Sequence, residues 1–232
     1  MPRIGESRAP AEPSSKLQHE KYARMLKSAE ELASQHRFDH VQMHDVAKSA
    51  GIAIGTLYRY FPSKTQLFVS VMAAQIEGLT AQSIRAIRED LPPWESVASI
   101  LTQALRSLMA RPMLADAMIR SLNIAHVDRV VDVAKIDEGF KEALWAAARI
   151  SVPTEEDDRL ARLVNQQWFG MVQSCLNGHI SVETAEADLR LACELLLADL
   201  TSSRRWRELP GGGRSRDRVA TEHSSGIRSK NS

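Results

Sequence analysis

Aromatic residues make up only 5% of this 232-residue chain, and long β-branched runs are missing from it. Sheet cores draw on both kinds of side chain, so their scarcity argues against a sheet, while abundant Ala, Leu, Glu and Arg favour helices. The sequence predicts an all-α protein, with 44% hydrophobic residues to fill its core. Cysteine is nearly absent as well. Cys175 and Cys193 stand apart without a CxxC pair, and the N-terminal MPRIGESRAPAEPSS holds no apolar signal core. No apolar run approaches the roughly 20 residues needed to cross a bilayer. Together these absences place the chain in the cytoplasm, with no membrane partner. Catalytic signatures are missing too: there is no GxSxG, HExxH, Walker loop or paired metal-ligand spacing. No catalytic residue, metal ligand or cofactor is therefore nominated, and a Cys/His enzyme remains the rival of a different class.

What is present is unevenly spread. The net charge is +1, yet residues 17–64 carry seven basic and five acidic groups, residues 65–200 twelve and nineteen, and residues 201–232 eight and three. A mildly basic N-terminal region and an acidic middle point to different tasks. Residues 1–16, rich in Pro, Ser and Arg, read as a disordered arm, and 201–232, with GGGRSRDR, as a disordered basic tail. The tail either draws DNA phosphates nonspecifically or is a soluble extension. The folded part divides into a small unit at 17–64 and a larger one at 65–200.

Tyr22, Met25, Leu26, Ala29, Leu32 and Ala33 recur at three- and four-residue steps, which predicts an amphipathic helix ending near 36–39. MHDVAKSAG then offers a helix of about two turns, with Gly51 where a left-handed residue is needed. Another short helix follows, closed by Pro62, and Ser63 caps a long one that turns Leu67, Phe68, Val71 and Met72 inward. Further helices are expected at 94–109, 112–125, 134–150, 155–177 and 181–200, with Pro112 suited to a first turn.

Two short helices about a glycine-containing turn, the second carrying polar and aromatic groups, fit a helix-turn-helix that lays its second helix in the major groove. The stretch DVAKSAGIAIGTLYRYFPSKTQLF, from Asp45 to Phe68, resembles the DNA-binding signature of TetR-family transcriptional regulators. The resemblance implies a first motif helix at 43–50, a recognition helix at 54–60, and double-stranded operator DNA as partner. It sets Tyr58, Tyr60 and Lys64 on phosphates, a role that phenol and ammonium groups can fill. Ile54, Gly55, Thr56 and Arg59 become the candidates for base edges, Arg59 by a bidentate grip on guanine. His44 stands where many relatives carry Thr, so an imidazole takes the place expected of a hydroxyl cap and phosphate contact.

The acidic helical remainder has the length and order of that family's ligand-binding and dimerisation domain. Met109, Met113, Met118, Asn123, Phe140, Trp145, Trp168, Phe169 and Met171 are the candidates to line an effector pocket, and the apolar ones read equally well as core. The last two helices resemble the family's dimer-forming pair, with Val164, Gln167, Met171, Leu189, Cys193 and Leu196 as candidate interface residues of a homodimer. Longer blocks, among them RPMLADAMIRS and PTEEDDRLARLVNQQWFGMVQSCLNG, resemble the actinobacterial branch of the family that represses cholesterol catabolism. That resemblance implies a steroid-like acyl-CoA thioester as the small hydrophobic effector and sterol or lipid breakdown genes as targets. A fatty acyl-CoA or a drug is the alternative effector.

Overall fold

Ser15 opens the first helix by accepting a hydrogen bond from the Gln18 N–H through its hydroxyl. In the computed structural model, which describes residues 10–85, 91–125 and 132–208, this helix is α1 (Lys16–Gln35). A 3-10 turn at Phe38–His40 leads to α2 (Met43–Ser49), α3 (Ile54–Tyr60) and α4 (Lys64–Arg85). The larger part follows as α5 (Pro93–Met109), α6 (Pro112–Ile124), α7 (Asp132–Ala148), α8 (Glu155–Leu176) and α9 (Val182–Glu208). No strand occurs among the described residues, so the all-α expectation holds. No described helix is long and apolar enough to cross a membrane.

Local chemistry sets the ends of these helices. After α2, Gly51 lies at φ +65°, its N–H donates to the Lys48 carbonyl at 3.2 Å, and the Ile52 N–H donates to Ala47 at 3.0 Å. This pair of bonds is a Schellman closure, which needs a left-handed residue where Gly51 stands. Gly178, at φ +70°, closes α8 in the same way. Arg149, at φ +57°, does so for α7 without a glycine, two residues before the end expected from sequence. The Ser63 hydroxyl accepts from the Gln66 N–H at 3.1 Å to start α4, and Thr154 and Asp157 form a reciprocal capping box at the start of α8.

One hydrophobic core runs from Met25 of α1 to Leu197 of α9. Along α1 the inward residues are small or flexible, Met25, Ala29 and Ala33, which lets α4 and α6 pack close against it. Two boundaries differ from expectation. Residues 201–208, assigned from sequence to the tail, continue α9. In the N-terminal arm, the Ala11 N–H donates to the Arg59 carbonyl at 2.9 Å, so the arm meets the end of α3. The expectations for 1–9 and 209–232, and for α4 beyond Arg85, lie outside the described residues.

Candidate DNA-reading surface and effector cleft

Helix α3 buries Leu57 and Tyr60 and turns Ile54, Gly55, Tyr58 and Arg59 to solvent, with Thr56 half-buried beside them. His44 is exposed on neighbouring α2. Six of the eight residues nominated for DNA are thus accessible to solvent, five on α3 and one on α2. Tyr60 is not: it is 3% exposed, and its ring meets Tyr22 edge-on at 5.8 Å. Its hydroxyl accepts from Arg59 Nη2 at 3.3 Å, and the guanidinium carbon lies 5.2 Å from its ring centre. Lying one turn beyond Leu57, Tyr60 falls on the same inner face, where it anchors α3 and holds Arg59. Lys64 is also committed elsewhere. Its ammonium donates to the carbonyls of Phe38 at 2.8 Å and Val41 at 3.2 Å and sits 4.2 Å from the Phe38 ring centre, tying the 3-10 turn to α4. The cap of α2 is Gln42, so His44 lies inside the first turn and does not replace a capping hydroxyl.

A cleft of about 920 Å³ opens between α1, α4, α5 and α6. Buried Val71, Met72, Leu114, Met118 and Trp168 form its floor, and the indole N–H of Trp168 is fixed by the Leu101 carbonyl at 3.1 Å. Lys27, Glu30, Glu31, Gln75 and Arg111 ring its mouth. Of the nine residues nominated for the effector, only Met118 and Trp168 line this cleft. Phe140 meets Trp168 at a tilt with ring centres 5.6 Å apart, and Trp145 borders a separate space of about 20 Å³, enough for a water and no more. Met171 is core, Met109 and Phe169 pack against the core, and Met113 and Asn123 face solvent. The α1 and α4 walls carry none of the nominated residues, although Leu26 and Met72 lie on apolar stripes visible in the sequence.

The residues nominated for a dimer face divide by burial. Val164, Met171, Leu189 and Cys193 are buried within the chain itself. Gln167 is exposed and Leu196 half-buried, and among the described side chains of α8 and α9 Leu163, Leu191 and Leu195 are large apolar groups facing outward. The inward stripe closes the core of the chain. Burial pushes the Cys193 thiol up to about 12 and raises Cys175 as well, away from the thiolate that a cysteine nucleophile requires.

Residues 25–71 match the bacterial regulatory proteins of the tetR family, and residues 92–196 match the tetracyclin repressor-like C-terminal domain. The HTH-type transcriptional repressor KstR of Rhodococcus jostii (strain RHA1) is 33% identical over 186 residues, covering 80% of this chain and 87% of that protein. The chain belongs to the TetR family. KstR of Mycobacterium tuberculosis (strain ATCC 25618 / H37Rv) is 29% identical over 195 residues, with 84% of this chain and 89% of that protein covered. Among solved structures, a TetR transcriptional regulator from Rhodococcus sp. RHA1 is 48% identical with a TM-score of 0.76, covering 80% of this chain and 100% of that one. Thermus thermophilus FadR, a TetR-family repressor solved in complex with lauroyl-CoA, shares the fold at 17% identity and a TM-score of 0.61, covering 76% and 93%. TetR-family proteins are transcriptional regulators and not enzymes. The N-terminal match spans the helix-turn-helix and ends inside α4, which begins beside α3 and then forms a wall of the cleft.

Proposed function

We propose that this TetR-family chain is a ligand-responsive repressor, a homodimer that binds a palindromic operator in the cytoplasm and releases it when a hydrophobic acyl-CoA thioester enters the cleft. One observation carries the reading: a single cleft is walled by α1 of the helix-turn-helix unit and by α4, α5 and α6 of the body. A ligand there touches both parts, so its binding energy depends on how they sit against each other. That dependence is the coupling a releasable repressor needs, and about 3 kcal/mol of it weakens operator binding roughly a hundredfold. The volume suits a drug-sized or sterol-sized apolar body. Relatives named KstR are repressors, and the FadR proteins of Thermus thermophilus and Bacillus subtilis were solved with lauroyl-CoA and stearoyl-CoA. With the sequence resemblance to the cholesterol-catabolism branch, these relatives favour a steroid-like acyl-CoA and control of sterol or lipid breakdown genes.

The test is direct. Operator fragments selected from genomic DNA by the purified protein are titrated at fixed salt, with and without cholestenoyl-CoA. Sequence-selective binding that the thioester abolishes is the expected result. Binding that survives saturating thioester refutes the effector assignment, and binding without sequence preference refutes the repressor.

A further inference from the structure

We propose that Arg111 reads an acidic head on the effector, and that it does so by exchanging Glu30 for that head. The proposal rests on the effector reading of the cleft given above.

Arg111 stands at the corner between α5 and α6, where its backbone N–H donates to the Leu108 carbonyl at 3.0 Å and fixes its place over the mouth. Its guanidinium is paired with the Glu30 carboxylate of α1, and Nη2 also donates to the Gln75 side-chain oxygen of α4 at 3.4 Å. One side chain therefore ties α1, the first helix of the DNA-reading unit, to two helices of the body. Further along α6, Arg120 pairs with Asp39 of the 3-10 turn at 3.6 Å. Both ends of α6 are thus fastened to the N-terminal unit by charge.

The pair at the mouth is open to competition. The Arg111 side chain is 43% exposed and that of Glu30 25%, so an incoming solute reaches both. The other charged groups facing the mouth, Lys27 and Glu31, pair with each other at 3.8 Å. Each cation there already has a carboxylate. An added anion gains little from a mouth balanced in this way, but it gains a planar two-pronged partner if it displaces Glu30. A neutral head has nothing to exchange. Beneath Arg111 the floor of Met72, Leu114, Met118 and Trp168 accepts an apolar body. The ligand class that follows is an amphiphile whose apolar body ends in a carboxylate or a phosphate. Its head unfastens α1 from the start of α6 while Arg120 still holds the other end.

Calorimetry on the full chain tests this with three probes: cholestenoic acid, cholestenoyl-CoA, and the neutral hydroxycholesterol with its alcohol at the same carbon. Thermal melts first establish that Arg111→Gln and Glu30→Gln are folded. The ratio of anionic to neutral affinity is expected to fall about tenfold in Arg111→Gln, as loss of a charged hydrogen bond dictates. It is expected to rise about threefold in Glu30→Gln, which removes the competitor. Charge dependence confined to the acid assigns the head to a carboxylate, and dependence confined to the thioester assigns it to the coenzyme's phosphates. If Arg111→Gln weakens all three probes alike, Arg111 only shapes the cleft, and if Glu30→Gln leaves the ratio unchanged there is no exchange. Either result overturns the proposal while leaving the effector reading intact. Failure of every probe to bind the unaltered protein overturns that reading, and this one with it.

Discussion

Leu57 and Tyr60 lie three positions apart and point inward, so Tyr58 and Arg59 between them point out. Arg59 is not left to wander, because the Tyr60 hydroxyl and ring face hold its guanidinium. A side chain ordered before it meets DNA loses less entropy on contact. Arg59→Ala is expected to weaken operator binding by about 1–3 kcal/mol and to relax preference at one base position. Tyr58→Phe removes an exposed hydroxyl, and if that hydroxyl holds a phosphate the change should weaken all sequences alike. Fluorescence anisotropy over a panel of operator variants separates the two, and an Arg59→Ala protein with undiminished base preference would remove Arg59 from the readout. The outward pair was legible in the sequence because a 3.6-residue period fixes which neighbours of Leu57 are exposed. The inward turn of Tyr60 and Lys64 was not. Phenol and ammonium groups serve phosphates and protein partners equally well, and the partners that decide here, Tyr22 and Phe38, come from other elements.

At the scale of elements, the recognition helix is aimed by the turn before it. Gly51 adopts φ +65°, and a Cβ built there meets nothing within 4 Å, so the cost of a side chain is wholly backbone. Gly51→Ala should therefore lower stability by about 1–2 kcal/mol, read as a shift in the urea midpoint. Gly178 has the same geometry at the far end of α8, and Gly178→Ala should cost a similar amount. Only the first substitution disturbs the angle between α2 and α3, so only it should weaken operator binding beyond the loss of folded protein. Equal effects of both on DNA would make the turn a matter of stability alone. Such punctuation is why most helix limits could be read in advance: Gly51, Pro62 with Ser63, Pro112 and Gly178 each mark an end by a local rule. Arg149 breaks the rule by taking a left-handed position as a non-glycine, and the end of α7 was misplaced accordingly. The polar run after Leu200 carries no stop signal before Pro210, so α9 continues past the last apolar stripe to Glu208.

For the whole molecule, the cleft and any face offered to a second copy both depend on how helices pack, which periodicity does not specify. A stripe such as Val164, Met171, Leu189 and Cys193 tells that α8 and α9 have an apolar side, but not whether that side meets the protomer or a second copy. The structure places it in the chain's own core and leaves Leu163 and Leu191 each 54% exposed and Leu195 72% exposed. Solvated leucines on the two helices that resemble the family's dimer pair are the surface a second copy would cover. Two-fold symmetry counts each of them twice, so burying the exposed part of Leu195 from both copies contributes about 2–4 kcal/mol. Leu195→Asp puts two carboxylates into that seam in place of two apolar groups, while the exposed position leaves the protomer core untouched. The expected outcome is a folded monomer in sedimentation velocity, with an unchanged melting cooperativity and operator affinity reduced more than by Arg59→Ala, because an entire half-site contact is lost. A Leu195→Asp protein that remains dimeric places the interface elsewhere and separates it from α9.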